Sequence, residues 1–170
     1  MEAKSSGGLS QGELVQKVLK DPVHWPAFGF GLGLIPKAPG TFGSLLGLPV
    51  WWFAWDLGIP AYLAICAVVC VFGVWVCGES AKRLGVHDHG GIVWDEVVGM
   101  MLTLAFFEPS ILTAVLGFGL FRLMDIAKPW PIRDIDHSLE GGLGIMLDDV
   151  LAAVYAALAL AGVLYFLNST

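Results

Sequence analysis

The acidic residues of this chain collect at the ends of apolar runs. Asp95 and Glu96 open "WDEVVGMML", Asp125 closes "FRLMD", Asp148 and Asp149 stand before "VLAAVYAALALAGVLYFL", and Glu79 follows the uncharged run 57–78. Carboxylates brought to one place repel one another and are costly to desolvate. A hard divalent cation relieves both costs. Mg²⁺ takes oxygen ligands, commonly one or two carboxylates completed by waters and phosphate oxygens. Asp95, Glu96, Asp125, Asp148 and Asp149 are therefore candidate Mg²⁺ ligands, and Asp95 and Asp149 are also candidates for the catalytic step. The competing assignment is ordinary: an acid in the first turn of a helix caps it or complements its dipole. Two such pairs, together with Asp125 at a helix C-terminus where an acid is disfavoured, favour a shared site.

Basic residues lie beside the acids. In "DIAKPWPIRDID", Lys128 and Arg133 follow Asp125, with Pro129 and Pro131 stiffening the link. Arginine offers phosphate a bidentate fork and lysine a point charge, although both also suit charge anchoring at a membrane face. "PKAPGTFGSLLG" sets Gly40, Thr41 and Ser44 at the opening of a helix, where backbone amides suit an anion. The same pattern reads equally as a turn and a cap. In "GVHDHGG", His87 is a candidate acid or base near neutral pH, and a solvated loop is the plain alternative. Cys66, Cys70 and Cys77 share one apolar run without a ligand-like histidine among them, which makes them small membrane-helix residues.

The elements that must position these groups are apolar. The chain has 170 residues, of which 56% are hydrophobic and only 14% charged, and its mean hydropathy is +0.75. A soluble domain carries about a quarter charged residues, so the solvent this composition calls for is a bilayer. The net charge of -6 and the lack of a basic, aromatic stripe exclude a nucleic-acid partner. The first 20 residues hold no apolar core of signal-peptide type, so no cleaved targeting segment is expected. Residues 1–24 form a polar segment in which Leu14, Val15, Val18 and Leu19 mark a short amphipathic helix suited to a membrane surface. Residues 25–170 form the membrane-embedded domain. Its apolar segments run over 43–55, 57–78, 94–107, 110–126 and 149–167, with Trp51, Trp52 and Trp55 suited to an interfacial belt.

The expected fold is all-α: a polytopic membrane helical bundle of about five transmembrane or membrane-embedded helices plus the N-terminal amphipathic helix. All nine Lys and Arg fall in the N-terminal region, the 78–93 connection or the 122–148 connection. With five crossings these lie on one side, which the positive-inside rule makes cytoplasmic. The N-terminus is then inside, the C-terminus outside, and the acids share one cytoplasmic depth.

Four stretches, "GLIPKAPGTFGSL", "GVHDHGGIVWDEVVGMMLTL", "FRLMDIAKPWPIRDID" and "GGLGIMLDDVLA", together resemble the phosphatidylglycerophosphatase A family of bacterial inner-membrane lipid phosphatases. The resemblance spans most of residues 29–155. It implies a Mg²⁺-dependent phosphoric monoester hydrolase that converts phosphatidylglycerophosphate to phosphatidylglycerol and inorganic phosphate, with its active site on the cytoplasmic face. Lys128, Arg133 and the Thr41 loop would then stabilise transition-state charge, while attack by water or by an aspartate stays open. Two other classes use membrane-bound acids. An ion-coupled transporter would place them near the midplane in broken helices, whereas here they gather at one edge. A phospholipid synthase of the phosphotransferase kind would carry a longer spaced-aspartate pattern that is absent.

Overall fold

Ser10 is a reciprocal helix cap. Its hydroxyl accepts from the Glu13 amide, and the Glu13 carboxylate accepts from the Ser10 amide at 2.9 Å. This is the start of α1 (Gln11–Lys20) in a computed structural model that describes residues 10–86, 89–134, 139 and 141–169. The apolar face of α1 is used against protein: Leu14 and Val18 are buried in the same cluster as Phe28, Val76 and Ala81. In α2 (His24–Ala27) the His24 ring is buried with Nδ1 2.8 Å from the Ser80 hydroxyl. Arg83 reaches both Asp21, at 2.8 Å, and Glu79, at 2.7 Å. These contacts fasten the N-terminal segment to the charged end of the helix that carries Ser80 and Arg83.

That helix is α4 (Ile59–Leu84). The others are α3 (Pro39–Ala54), α5 (Trp94–Thr103), α6 (Ile111–Ala127) and α7 (Gly141–Ser169). No strand occurs among the described residues, and the fold is all-helical. Helix α5 lies at the centre, packed on α3 and α7, and α7 also lines α4 and α6. Small residues let the backbones approach closely, the usual device for helices in lipid. A Cβ on Gly43 would sit 2.7 Å from Val93, and one on Gly47 would sit 2.8 Å from Met100. A Cβ on Gly142 would overlap the Val74 carbonyl where α7 crosses α4.

Two helices are long and apolar enough to cross a bilayer: α4, with 26 residues, and α7, with 29. Helices α3, α6 and α5 have 16, 17 and 10 residues, against the roughly 20 that a full crossing takes. The short α5 ends inside the bundle, where freed carbonyls need donors that water would otherwise supply. Side chains provide them. Tyr62 donates its hydroxyl to the Met101 carbonyl at 2.9 Å, and the Trp51 indole donates to the Phe107 carbonyl at 3.1 Å. Outward-facing side chains are apolar: Val68 and Val71 on α4, Ile111 on α6, and Leu158 and Phe166 on α7 are each at least 69% exposed. Such a surface fits lipid better than water.

Three expectations from sequence are corrected. Trp51 is fully buried and belongs to the core, not to an interfacial belt, because its N–H donates to the Phe107 carbonyl in the turn after α5. Helix α4 continues past residue 78 to Leu84, since Ser80 and Arg83 find partners in the N-terminal segment. Helix α7 begins at Gly141, eight residues before the apolar run. The "GGLG" stretch is poor helix sequence by propensity, but the close crossing with α4 requires glycine at Gly142.

Candidate functional site

The longer α7 changes the meaning of its two aspartates. Asp148 and Asp149 are the eighth and ninth residues of the helix, so neither can cap its N-terminus. Asp95 and Glu96 are the second and third residues of α5, whose N-cap position is Val93 with no side-chain cap bond. Asp125 stands two residues before the end of α6. Three helices therefore bring acids to one place.

Asp95, Glu96 and Asp149 each hold a carboxylate oxygen within 4.8 Å of the other two. Asp149 is 3% exposed, and the Asp125 carboxyl touches it. Glu96 Oε2 and Asp149 Oδ2 are buried with no hydrogen-bond partner among the described residues. Arg122, one turn before Asp125 on α6, enters the group. Its Nη1 lies 2.6 Å from Asp125 Oδ2 and 3.7 Å from Glu96 Oε1. The same atom is 3.5 Å from the Ser44 hydroxyl, which itself donates to the Gly40 carbonyl at 2.8 Å. Gly40 is required here: a Cβ would overlap Glu96 Oε1 and stand 3.0 Å from Arg122 Nη1. The first turn of α3 thus closes one side of the acid group, with Thr41 half-buried in that turn.

The structure divides the expected ligands. Asp95, Glu96, Asp125 and Asp149 come together. Asp148 turns toward α6, where Lys128 Nζ lies 2.7 Å from its Oδ2. Lys128 can reach because it ends α6 in the left-handed region, at φ 40°, which swings its side chain toward α7. Arg133 is exposed and forms no ion pair with a described residue. His87 lies outside the described residues. Its neighbour His89 spends Nδ1 accepting the Gly91 amide at 3.0 Å and packs against Phe28.

Arg122 is the one site residue that the sequence did not point to. The available signal was its spacing: Arg122 and Asp125 are i and i+3 on one helix face. The donor set of the group is oxygen only. Unpartnered acceptors on Glu96 and Asp149, facing a third carboxylate, fit a hard divalent cation of the Mg²⁺ kind and not a metal that seeks nitrogen or sulfur. With an arginine and a helix N-terminus beside it, the group has the parts needed to hold a metal-bound phosphate.

A family model described as phosphatidylglycerophosphatase A matches residues 25–164, from just after α1 to near the end of α7. Over 151 residues the chain is 44% identical to a phosphatidylglycerophosphatase A of Escherichia coli, covering 88% of this chain and 86% of the relative. Over 162 residues it is 44% identical to one of Haemophilus influenzae, covering 94% and 99%. A protein of Bacteroides thetaiotaomicron, provisionally named a phosphatidylinositol-3-phosphatase, is 34% identical over 155 residues, covering 84% and 96%. No solved structure matches the chain.

Proposed function

The chain belongs to the phosphatidylglycerophosphatase A family, and we propose on that footing that it removes the terminal phosphate of phosphatidylglycerophosphate, leaving phosphatidylglycerol, in a bacterial inner membrane. The observation that carries this reading is the meeting of Asp95, Glu96 and Asp149 within 4.8 Å, beside Arg122 and the first turn of α3. Lipid phosphates sit at headgroup depth with their tails in the bilayer, and the site stands at the ends of α5 and α6, not at the middle of α4 or α7.

Asp95, Glu96 and Asp149 would hold Mg²⁺, which polarises a phosphoryl group and acidifies a bound water. Arg122 holds Asp125, the fourth carboxylate, beside the trio. The Lys128–Asp148 pair fixes the end of α6 against α7 and sets the distance between Asp125 and Asp149. The first turn of α3, through Gly40 and Ser44, borders the Arg122 side of the group, where its helix dipole favours a phosphate. The nine positive residues favour a cytoplasmic site, with α3, α5 and α6 completing about five membrane-embedded helices between a cytoplasmic N-terminus and an external C-terminus.

The Bacteroides relative gives a second headgroup to weigh. Purified protein should be offered phosphatidylglycerophosphate and phosphatidylinositol-3-phosphate in equal mixed micelles, with released phosphate measured. We expect a preference of about tenfold or more for the glycerophosphate headgroup. The opposite preference would overturn the substrate assignment, and release from neither would overturn the activity.

A further inference from the structure

We infer that Arg122 is the residue that grips the phosphate of the substrate, a role that chain position alone would give to Lys128 and Arg133. The inference rests on the phosphatase reading and names a residue for it. Arg122 is 15% exposed at its side chain, and its guanidinium meets Glu96, Asp125 and Ser44 through one nitrogen, Nη1. Its Nε–H is buried and has no hydrogen-bond partner among the described residues. A buried donor left without an acceptor is expensive, so its persistence calls for a ligand oxygen.

The neighbouring atoms say which kind. Glu96 Oε2 and Asp149 Oδ2 are buried acceptors without partners, in the same group as that donor. A cation bound alone would satisfy the two oxygens and leave the Nε–H unused. An anion bound alone would face four carboxylates. A cation and an anion bound together satisfy both sets, and a metal-bound phosphate monoester is such a pair. The guanidinium fork matches two phosphate oxygens at once, which an ammonium cannot do. The competing cations are placed elsewhere: Lys128 lies 2.7 Å from Asp148, and Arg133 is exposed. Ser44 and Gly40 bring the α3 N-terminus to the same guanidinium, so the helix dipole adds to the positive field there.

The test uses the full-length protein in detergent with Mg²⁺ present and inorganic phosphate as probe. Phosphate affinity is measured by calorimetry, alongside kcat/KM for phosphatidylglycerophosphate. Arg122→Lys keeps a positive charge opposite Asp125 and Glu96, so the fold is retained, and thermal unfolding checks this. We expect Arg122→Lys to weaken phosphate binding about tenfold or more and to lower kcat/KM by roughly 10²–10³. Arg133→Met, at an exposed position, should change phosphate affinity less than about threefold. If Arg122→Lys binds phosphate like the wild type while losing activity, Arg122 only organises Glu96 and Asp125, and the inference is overturned. It is equally overturned if Arg133→Met is the variant that loses phosphate. Failure of the phosphatase reading shows differently, as a wild-type protein that frees no phosphate from any lipid monoester.

Discussion

Replacing Asp149 by asparagine should make the metal-free protein more stable and nearly inactive. The two effects have one cause. Asp149 lies within 4.8 Å of carboxylate oxygens on Asp95 and Glu96, and two like charges at that distance repel by about 3 kcal/mol at an effective dielectric of 20. Asparagine keeps the volume and removes two such pairs. Relaxation and the nearby Arg122 absorb part of the gain, so we expect about 2 kcal/mol of net stabilisation without metal. For a chain of this size that is a rise in Tm of roughly 4–8 °C. The variant also loses the charge that faces a cation and its phosphate. Phosphate release should therefore fall by about 10³-fold, the scale of removing a main transition-state contact. The assay is thermal unfolding in detergent with excess chelator, paired with phosphate release in Mg²⁺. A structural aspartate in the middle of a helix predicts the reverse pair: lower Tm and preserved turnover. That result would refute the reasoning.

Gly40→Ala places a methyl group against Glu96 Oε1 and 3.0 Å from Arg122 Nη1. Both are ends of flexible side chains, so folding should survive while activity drops on the order of 10²-fold, as a displacement of about 1 Å in the site implies; unchanged kcat/KM would count against the placement of α3. Burial holds the His24 imidazole below its ordinary pKa, reinforced by Arg83 and Lys17 and opposed by Asp21. Its folded pKa is depressed, so the unfolded chain binds the extra proton, and stability is full above about pH 6.5 and is lost as pH falls below it. His24→Gln should flatten the Tm profile between about pH 5 and 7, and a profile as steep as that of the wild type would locate the pH dependence in another group. Reporter fusions at the two termini should report opposite sides of the membrane; a shared side would exclude an odd number of crossings.

How far the sequence reaches differs from feature to feature. The helices were legible because uncharged runs such as 57–78 admit few alternatives, and the acids were legible because charge is conspicuous in such surroundings. What was hidden depends on contacts between distant residues. The start of α7 at Gly141 follows from its crossing with α4 at Gly142 and Val74, which no local propensity encodes. Trp51 looks interfacial in "VWWFAWD", yet the Phe107 carbonyl, in the turn after α5, draws it inward. Arg122 resembles one more positive residue beside a membrane until α5 delivers Glu96 to it. Lys128 points at phosphate in the sequence and at Asp148 in the structure, because the left-handed turn that ends α6 redirects it.

The most direct test of a carboxylate-held metal site is phosphate release from phosphatidylglycerophosphate by the purified protein, measured in excess Mg²⁺, after chelation, and again after Mg²⁺ is restored. Release of inorganic phosphate with matching phosphatidylglycerol, its loss on chelation and its return with Mg²⁺ are the expected results. Turnover that continues undiminished in excess chelator would contradict the account of Asp95, Glu96 and Asp149.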